Sequence, residues 1–169
     1  KVAKDFFWDH LVINTMEFQN PDYIKNGPTR CYFCKTELYT NLAKIAEKLS
    51  FKNIVNGANL DDTSDFRPGM KAAGQHNVFS PLIESKLTKK EIRQLSKHLN
   101  LPTWDEPAQP CLASRIPYGT PVSINALSRI GQAESGIRKL GFNIIRVRHY
   151  NELARIEIPT SDFEKFNQK

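Results

Sequence analysis

Three cysteines are the residues of this sequence whose spacing most directly predicts chemistry. Cys31 and Cys34 form a CxxC pair just ahead of a predicted helix, where backbone amides and the helix dipole favour thiolate over thiol. Cys111 follows much later, in a short predicted loop. Three thiolates could hold an iron-sulfur cluster. A thioredoxin-like redox pair, a zinc site completed by one of the four histidines, and buried structural cysteines are the alternatives.

A second candidate site is an acidic loop that follows a short predicted strand. The segments 59–62 and 65–67 place Asp62, two further aspartates and Arg67 within a few residues of one another. Carboxylates are ligands for Mg²⁺, and an arginine can bind phosphate through two nitrogens. Ser114 and Arg115, next to Cys111, also suit a phosphate contact. For both loops the alternative is an ordinary solvated loop.

A third candidate lies near the end of the chain. Arg146 and Arg148 stand two residues apart, which places both on one face of a predicted strand. Their guanidinium groups suit a phosphate or a carboxylate. Glu134 and Glu157 could neutralise these arginines or act as acid and base. The alternative is the solvated face of a small sheet.

The elements that must position these residues alternate along the first part of the chain. Apolar periodicity and turn residues predict short strands over 10–15, 52–57 and 77–81, an irregular loop over 29–35, and helices over 36–49 and from Thr88 to a stop at Pro102. This alternation predicts an α/β fold with a parallel sheet, whose ligands lie beyond the C-terminal ends of the strands.

The last third of the chain has a different pattern. Ser123 is predicted to cap a helix that Gly141 ends, and two strands follow over 143–149 and 153–158. We therefore predict a small α+β domain after a boundary near Pro117.

Composition narrows the classes of protein. Of the 169 residues 40% are hydrophobic and 25% charged, which is ordinary for a globular protein. No apolar run approaches the roughly 20 residues of a membrane span, and no signal-peptide stretch follows the basic start, so we expect a cytoplasmic protein without a membrane partner. The net charge of +6 favours anionic partners, although a basic surface that is merely soluble would also explain it.

Four strings carry a resemblance to a known family: RCYFCK, NGANLDDTSDFRPG, CLASRIPYGTP and FNIIRVRHYNELARIEIP. In this order they resemble the ATP-dependent sacrificial sulfur transferases called LarE, of the PP-loop ATP pyrophosphatase superfamily. The resemblance implies a Rossmann-like PP-loop domain over 1–117 and a small substrate and oligomerisation domain over 118–169. It also implies that ATP adenylates a carboxylate of a pyridinium mononucleotide and that sulfur then displaces AMP. The product would serve nickel-pincer nucleotide cofactor biosynthesis.

The resemblance implies roles for single residues. Cys111 supplies sulfur, either by giving up its own or, together with Cys31 and Cys34, through a 4Fe-4S cluster that carries an extra sulfide. All three cysteines are present, which implies the cluster-bearing branch. The resemblance also implies a substrate region with Arg146, Arg148 and the catalytic candidates Glu134 and Glu157, and a site for ATP or Mg²⁺ with Asp62, Ser114 and Arg115. Arg67 is assigned to the same ATP site because of its position in the acidic loop.

Some features of that family do not occur in these 169 residues. The phosphate-binding SGGxDS loop is expected before Lys1, and a further C-terminal segment is expected as well. Family members form homo-oligomers, and the sulfide donor is unknown. The alternatives are a tRNA-thiolating PP-loop enzyme, whose RNA partner would explain the positive charge, and a non-enzymatic interaction domain stabilised by zinc.

Overall fold

The structure, a computed structural model, describes residues 2–167 and mixes helix with sheet, with 51% of the chain helical. Two strands pair in an antiparallel sheet, β1 (Arg146–Tyr150) and β2 (Leu153–Glu157). The helices are α1 (Val2–Asp5), α2 (Pro21–Ile24), α3 (Arg30–Lys48), α4 (Pro68–Gln75), α5 (Pro81–Glu84), α6 (Lys89–His98), α7 (Ile124–Lys139) and α8 (Phe163–Asn167). Short 3₁₀ turns cover Glu17–Gln19, Leu60–Ser64, Leu112–Arg115 and Thr160–Asp162.

The chain divides into two compact units. Unit 1 contains the residues up to Asn20 together with Thr29–Glu106. Unit 2 contains Pro21–Pro28 together with the residues from Pro107 onward. The boundary near Pro117 between an ATP-binding and a substrate domain stays a prediction.

The core of unit 1 lies between α3 and α4. Tyr39, Ala72, Ala73 and Val78 are buried there. The helices approach closely because Gly69, in the first turn of α4, has no side chain. A Cβ at that position would lie 3.0 Å from Cγ of Lys35 and 3.7 Å from the carbonyl oxygen of Cys31. The helix that carries the CxxC pair is therefore packed directly against α4.

The second helix predicted for unit 1 forms as expected. Glu91 N donates to Thr88 Oγ1 at 3.3 Å, and Thr88 N donates to Glu91 Oε2 at 2.9 Å. This reciprocal capping box satisfies two backbone donors that the first turn of α6 leaves unpaired. The helix ends at His98, ahead of Pro102.

Other predictions for unit 1 are wrong. Residues 10–15 do not form a strand, and Leu11 and Val12 are exposed, because no neighbouring strand pairs with this segment in the described chain. The predicted loop over 29–35 is helical from Arg30, since the nearest helix breaker, Pro28, precedes the helix. The CxxC pair thus lies inside α3 and not ahead of it.

The two central strands predicted for unit 1 are reduced to one parallel bridge. Val55 pairs with Phe79. Phe79 N donates to the carbonyl oxygen of Ile54, and Asn56 N donates to the carbonyl oxygen of Phe79, both at 2.9 Å. The direction agrees with a parallel arrangement, but residues 2–167 contain no parallel sheet.

Unit 2 has the predicted helix and two strands. The side chain of Ser123 caps α7 by accepting from Ala126 N at 3.1 Å, and Gly141 follows the helix in the left-handed conformation, with φ of 94°. β1 pairs with β2 so that Arg146 lies opposite Glu157. Val147 turns inward to the core of the unit, while Arg146 is exposed on the other face.

No helix in the described residues is long and apolar enough to span a bilayer.

Candidate functional site

Cys111 lies at the start of a short turn whose backbone is hydrogen-bonded to a buried arginine. It precedes the 3₁₀ turn Leu112–Arg115, and its side chain is exposed. Arg115, at the end of the turn, is only 4% exposed. Arg115 Nη1 donates to the carbonyl oxygens of Pro110, at 2.7 Å, and Cys111, at 3.3 Å. The buried guanidinium therefore fixes the loop and leaves the thiol open to solvent.

Glu134 anchors this arginine from the middle of α7. Its side chain is fully buried and accepts from Arg115 Nε at 2.9 Å and from Arg115 Nη2 at 3.3 Å. Arg138 Nη2 donates to the same carboxylate at 3.0 Å, and Val147 N donates at 3.0 Å. One carboxylate thus joins the Cys111 loop, α7 and β1.

The pKa of Glu134 lies below its ordinary value. Burial alone would raise it, but the hydrogen bonds from Arg115, Val147 N and Arg138 outweigh burial and stabilise the charged form. Because the carboxylate is charged and its acceptors are occupied by the unit itself, these contacts favour a positioning role. Its predicted role as a catalytic acid or base stays a prediction.

The two strands carry a cluster of arginines around one carboxylate. Arg148 Nε donates to Glu157 Oε1 at 2.7 Å, and Arg155 Nη2 donates to the same oxygen at 2.8 Å. The hydrogen bond from Arg148 holds the pKa of Glu157 below its ordinary value, and Glu157 raises the pKa of Arg148. Arg148 Nη1 also lies 3.4 Å from the carbonyl oxygen of Ser114. Two guanidinium groups thus share one carboxylate, and exposed Arg146 lies opposite Glu157 in the strand register, so this arginine-rich surface suits an anion.

Cys31 and Cys34 occupy the first two turns of α3, both half-buried. Their spacing of three places them on the same side of the helix. Nη2 of buried Arg30 lies 3.9 Å from Cys31 Sγ. Thiolate ligands beside a fixed positive charge fit an anionic iron-sulfur cluster.

None of the three cysteines forms a disulfide. In the part of the chain that the structure describes, no group of three or more His, Cys, Asp or Glu side chains is arranged to hold a metal ion. The three-cysteine centre therefore stays a prediction.

The carboxylates of the acidic loop form hydrogen bonds and ion pairs with residues of the loop itself and with the start of α6. Asp62 pairs with Arg67 Nη2 at 2.8 Å and accepts from Asn59 N at 3.0 Å. Asp61 accepts from Lys89 N, the first amide of α6, at 2.7 Å. These contacts order the loop between the Val55 bridge and α6. Binding of ATP or Mg²⁺ by Asp62 and Arg67 stays a prediction.

The structure thus links six predicted residues within unit 2, where Arg146 also lies, and the remaining predicted residues, Cys31, Cys34, Asp62 and Arg67, lie in unit 1. The linked residues are Cys111, Ser114, Arg115, Glu134, Arg148 and Glu157. Sequence reasoning missed Asn26 and Arg30, which are both buried. The dipeptide Asn26-Gly27 signalled a turn, but nothing in the sequence indicated that the asparagine side chain would be enclosed.

Comparison with known proteins adds three relatives, while no protein-family model matches the chain. The chain is 46% identical over 159 residues to an uncharacterized protein of Synechocystis sp., in an alignment that covers 94% of this chain and 59% of the relative. It is 37% identical over 146 residues to an uncharacterized protein of Methanocaldococcus jannaschii, with coverage of 86% and 57%.

The third relative has a name that describes a reaction. The chain is 35% identical over 159 residues to the pyridinium-3,5-bisthiocarboxylic acid mononucleotide synthase of Lactiplantibacillus plantarum, with coverage of 92% of this chain and 58% of the relative. The chain spans less than two thirds of the length of all three relatives. It is therefore a distant homologue of a protein named as a thiocarboxylate synthase, which supports its resemblance to the LarE family.

Proposed function

We propose that the protein is an ATP-dependent sulfur transferase of the LarE family, which converts a carboxylate of a pyridinium mononucleotide to a thiocarboxylate. The observation that carries the proposal is the 35% identity to the named synthase over 92% of the chain. Unit 2 adds physical support, because an exposed cysteine loop there is tied through Ser114 and Arg115 to an arginine-rich strand. An exposed cysteine on a loop that is bonded to an arginine-rich strand suits the transfer of sulfur to an anionic substrate.

In the proposed reaction, a carboxylate oxygen of the substrate attacks the α-phosphorus of ATP and pyrophosphate leaves. Sulfur then attacks the acyl carbon, and the C–O bond to AMP breaks. Arg146 and Arg148 bind the substrate phosphate. Asp62, Arg67, Ser114 and Arg115 serve the nucleotide and Mg²⁺, with Arg115 acting through the loop that it holds.

Cys31, Cys34 and Cys111 are the proposed ligands of a 4Fe-4S cluster. When bound, the cluster would supply a sulfide for transfer, which would spare the sulfur of Cys111 itself. The chain contributes three thiolates, and Arg30 offsets their negative charge next to Cys31.

We further propose that unit 1 belongs to the parallel sheet of a PP-loop domain. The support is the Val55 bridge, in which Phe79 uses both its N–H and its carbonyl toward one strand edge. In this register the N–H and carbonyl of Val55 point to the opposite edge, where another parallel strand could pair. A homo-oligomer is proposed from the family alone.

The proposal is tested with the full-length protein after anaerobic reconstitution with iron and sulfide, together with ATP, Mg²⁺ and pyridinium-3,5-dicarboxylic acid mononucleotide, so that the sulfur for transfer is present. Mass spectrometry should detect replacement of a carboxylate oxygen by sulfur, with AMP and pyrophosphate formed in equal amounts. Bulk tRNA is the comparison substrate. Thiolated tRNA without a thiocarboxylate product would replace this proposal by the tRNA-thiolating alternative, and no sulfur transfer to either substrate would refute both.

A further inference from the structure

One face of the two-stranded sheet carries more positive charge than its own residues neutralise. In the register of β1 and β2, residues that lie opposite one another share a face, and so does every second residue along each strand. We name the face that does not contain buried Val147 the arginine face. Its residues are Arg146, Arg148 and Tyr150 of β1 and Leu153, Arg155 and Glu157 of β2. Three arginines thus stand against one carboxylate.

Arg148 and Arg155 form a directly opposed pair of like charges on this face. Such a pair destabilises an antiparallel sheet unless another group compensates it. Glu157 compensates both arginines through one oxygen, because Oε1 accepts from Arg148 Nε at 2.7 Å and from Arg155 Nη2 at 2.8 Å. The two guanidinium groups therefore converge on one point of the face.

The contacts within the described chain use only part of the donors of these two arginines. Glu157 accepts one hydrogen bond from each of them, and the carbonyl oxygen of Ser114 accepts one more from Arg148. Most N–H groups of each guanidinium thus remain for an oxyanion of a ligand. A phosphate monoester has three acceptor oxygens and a charge of about −1.5 to −2 at pH 7, so one phosphate can bond both groups at once.

Tyr150 orders the guanidinium of Arg155. Arg155 Cζ lies 5.3 Å from the centre of the Tyr150 ring, a cation–π contact. The side chain of Arg155 is otherwise 55% exposed. A guanidinium that is already held in place loses less conformational entropy when it binds an anion.

The position of Arg155 indicates which group of the substrate it contacts. Val147 N donates to Glu134, so Glu134 and its partner Arg115 of the Cys111 loop lie at the edge of β1 that does not pair with β2. Arg155, on β2, therefore lies on the side of Arg148 away from that loop. The carboxylate that receives sulfur must reach the Cys111 loop, which leaves the phosphate for the side of Arg155.

We propose that Arg155 is a third substrate-binding arginine, which binds the phosphate of the mononucleotide together with Arg148, and that Tyr150 is its positioning residue. This inference rests on the proposed function, because it takes the pyridinium mononucleotide as the ligand. All of the residues that carry it belong to unit 2.

The experiment compares two ligands that differ only in the phosphate. They are pyridinium-3,5-dicarboxylic acid mononucleotide and the nucleoside that a phosphatase produces from it. Isothermal titration calorimetry with the full-length protein gives both affinities, and their ratio, which we name the phosphate ratio, measures the contribution of the phosphate. Arg155→Ala should lower the phosphate ratio about tenfold or more and leave nucleoside affinity unchanged. Arg129→Ala, an exposed arginine of α7, is the matched control and should change neither.

A second pair of variants tests Tyr150. Tyr150→Leu removes the ring and should lower the phosphate ratio about two- to fivefold, whereas Tyr150→Phe keeps the ring and should keep the ratio. A merely structural role would weaken binding of both ligands equally and leave the ratio unchanged. That result in Tyr150→Leu would overturn the positioning role.

A Glu157→Gln background separates direct from indirect action of Arg155. Loss of Arg155 also leaves Glu157 to Arg148 alone, which by itself could weaken phosphate binding. If Arg155 contacts the phosphate, Arg155→Ala should lower the ratio about tenfold in this background as well. A loss that disappears with Glu157→Gln would show that Arg155 acts only through Glu157 and would overturn the proposal.

The remaining outcomes are also decisive. An unchanged phosphate ratio in Arg155→Ala, or a wild-type protein that binds neither ligand, would overturn the proposal. If Arg155→Ala does not fold, Arg155→Lys replaces it, because lysine keeps the charge beside Glu157 but lacks the planar fork. It should lower the ratio several-fold, and an unchanged ratio would again overturn the proposal. Sulfur transfer is assayed separately, so the expected ratios without a thiocarboxylate product would refute only the proposed function.

Discussion

At the scale of single residues, the carboxylate of Glu134 connects three segments of unit 2, the Cys111 loop, α7 and β1. The carboxylate is buried and accepts from Arg115, Arg138 and Val147 N. A buried ion pair contributes little compared with a well-packed apolar pair, but removal of one partner leaves a charge without compensation. The sequence could suggest Glu134 as a charged group near the arginines, but not that its partners would be inside the protein.

We predict that Glu134→Gln destabilises the protein by about 3–5 kcal/mol, because it leaves the Arg115 guanidinium buried without a counter-ion. The measurement is the free energy of unfolding in urea near pH 7. Glu152→Gln, an exposed carboxylate in the turn after β1, is the control and should change stability very little.

The same residue gives a pH dependence. The pKa of Glu134 is lowered in the folded state, so its contribution to stability is complete above its ordinary pKa of 4.5 and is lost as the pH falls through the folded pKa. Unfolding free energies measured from pH 7 down to about 3 should therefore decrease less steeply in Glu134→Gln than in the wild type. Parallel curves would contradict the assignment.

Arg148 gives a prediction for the substrate site. Arg148→Ala should weaken binding of the pyridinium mononucleotide by about 1.5–3 kcal/mol, the value of a hydrogen bond to a charged group, and should leave ATP binding unchanged. Isothermal titration calorimetry of both ligands checks this. Arg129→Ala, on the exposed side of α7, is the matched control. Equal substrate affinity in the two variants would remove the assignment.

The proposed roles of the three cysteines can be distinguished by one set of variants. If they hold a common cluster, Cys31→Ser, Cys34→Ser and Cys111→Ser should each lose the visible iron-sulfur absorbance and sulfur transfer together. If Cys111 gives up its own sulfur, only its variant should be inactive. Adenylation, followed as ATP–pyrophosphate exchange, should survive in all three. A Cys111→Ser protein that transfers sulfur at the wild-type rate would exclude both mechanisms.

At the scale of elements, the starts of α6 and α7 are predicted correctly because each begins at a capping residue, Thr88 and Ser123. The capping box at Thr88 and the cap at Ser123 rely on side chains within three residues of the bond they make, so the local sequence contains all of the information. The segment 10–15 has an equally clear apolar pattern. A strand, however, is stable only when another strand pairs with it, and the sequence of the segment does not show whether such a partner strand is present.

The α3 helix shows a different limit of sequence reasoning. Its apolar stripe predicts a helix only from residue 36 onward, and the turn residues that precede Thr29 favour an irregular loop over 29–35. Close packing at Gly69 and the hydrogen bond between Tyr32 and Gln75, at 2.7 Å, show that the first turns of α3 pack on α4 instead. Such contacts between distant segments cannot be inferred from periodicity.

Ser123 gives a prediction at this scale. Ser123→Ala should reduce the free energy of unfolding by about 1 kcal/mol, because Ala126 N then loses its acceptor at the start of α7. Ser123→Asp should retain most of the stability, since its carboxylate can accept the same hydrogen bond. Urea titration of both variants is the measurement. If Ala and Asp give the same loss, the cap does not account for it.

At the scale of the whole molecule, charge was the property most easily obtained from sequence. A net charge of +6 favours anions but does not distinguish a mononucleotide from RNA. The structure adds a location for the positive charge in unit 2, where Arg148 and Arg155 both bond Glu157 and Arg146 lies opposite it in the strand register. The arrangement of the two units and the identity of the ligand depend on contacts that a single sequence does not specify.

The buried Arg115–Glu134 pair also has a consequence for evolution. A substitution at either position alone leaves a buried charge without its partner. The two positions should therefore change together among homologous sequences, unless a substitution at a neighbouring position compensates the charge. Position 138, whose arginine shares the carboxylate but is partly exposed, should drift more freely. Ancestral reconstructions of this lineage would then pass through few intermediates in which only one member of the pair had been replaced.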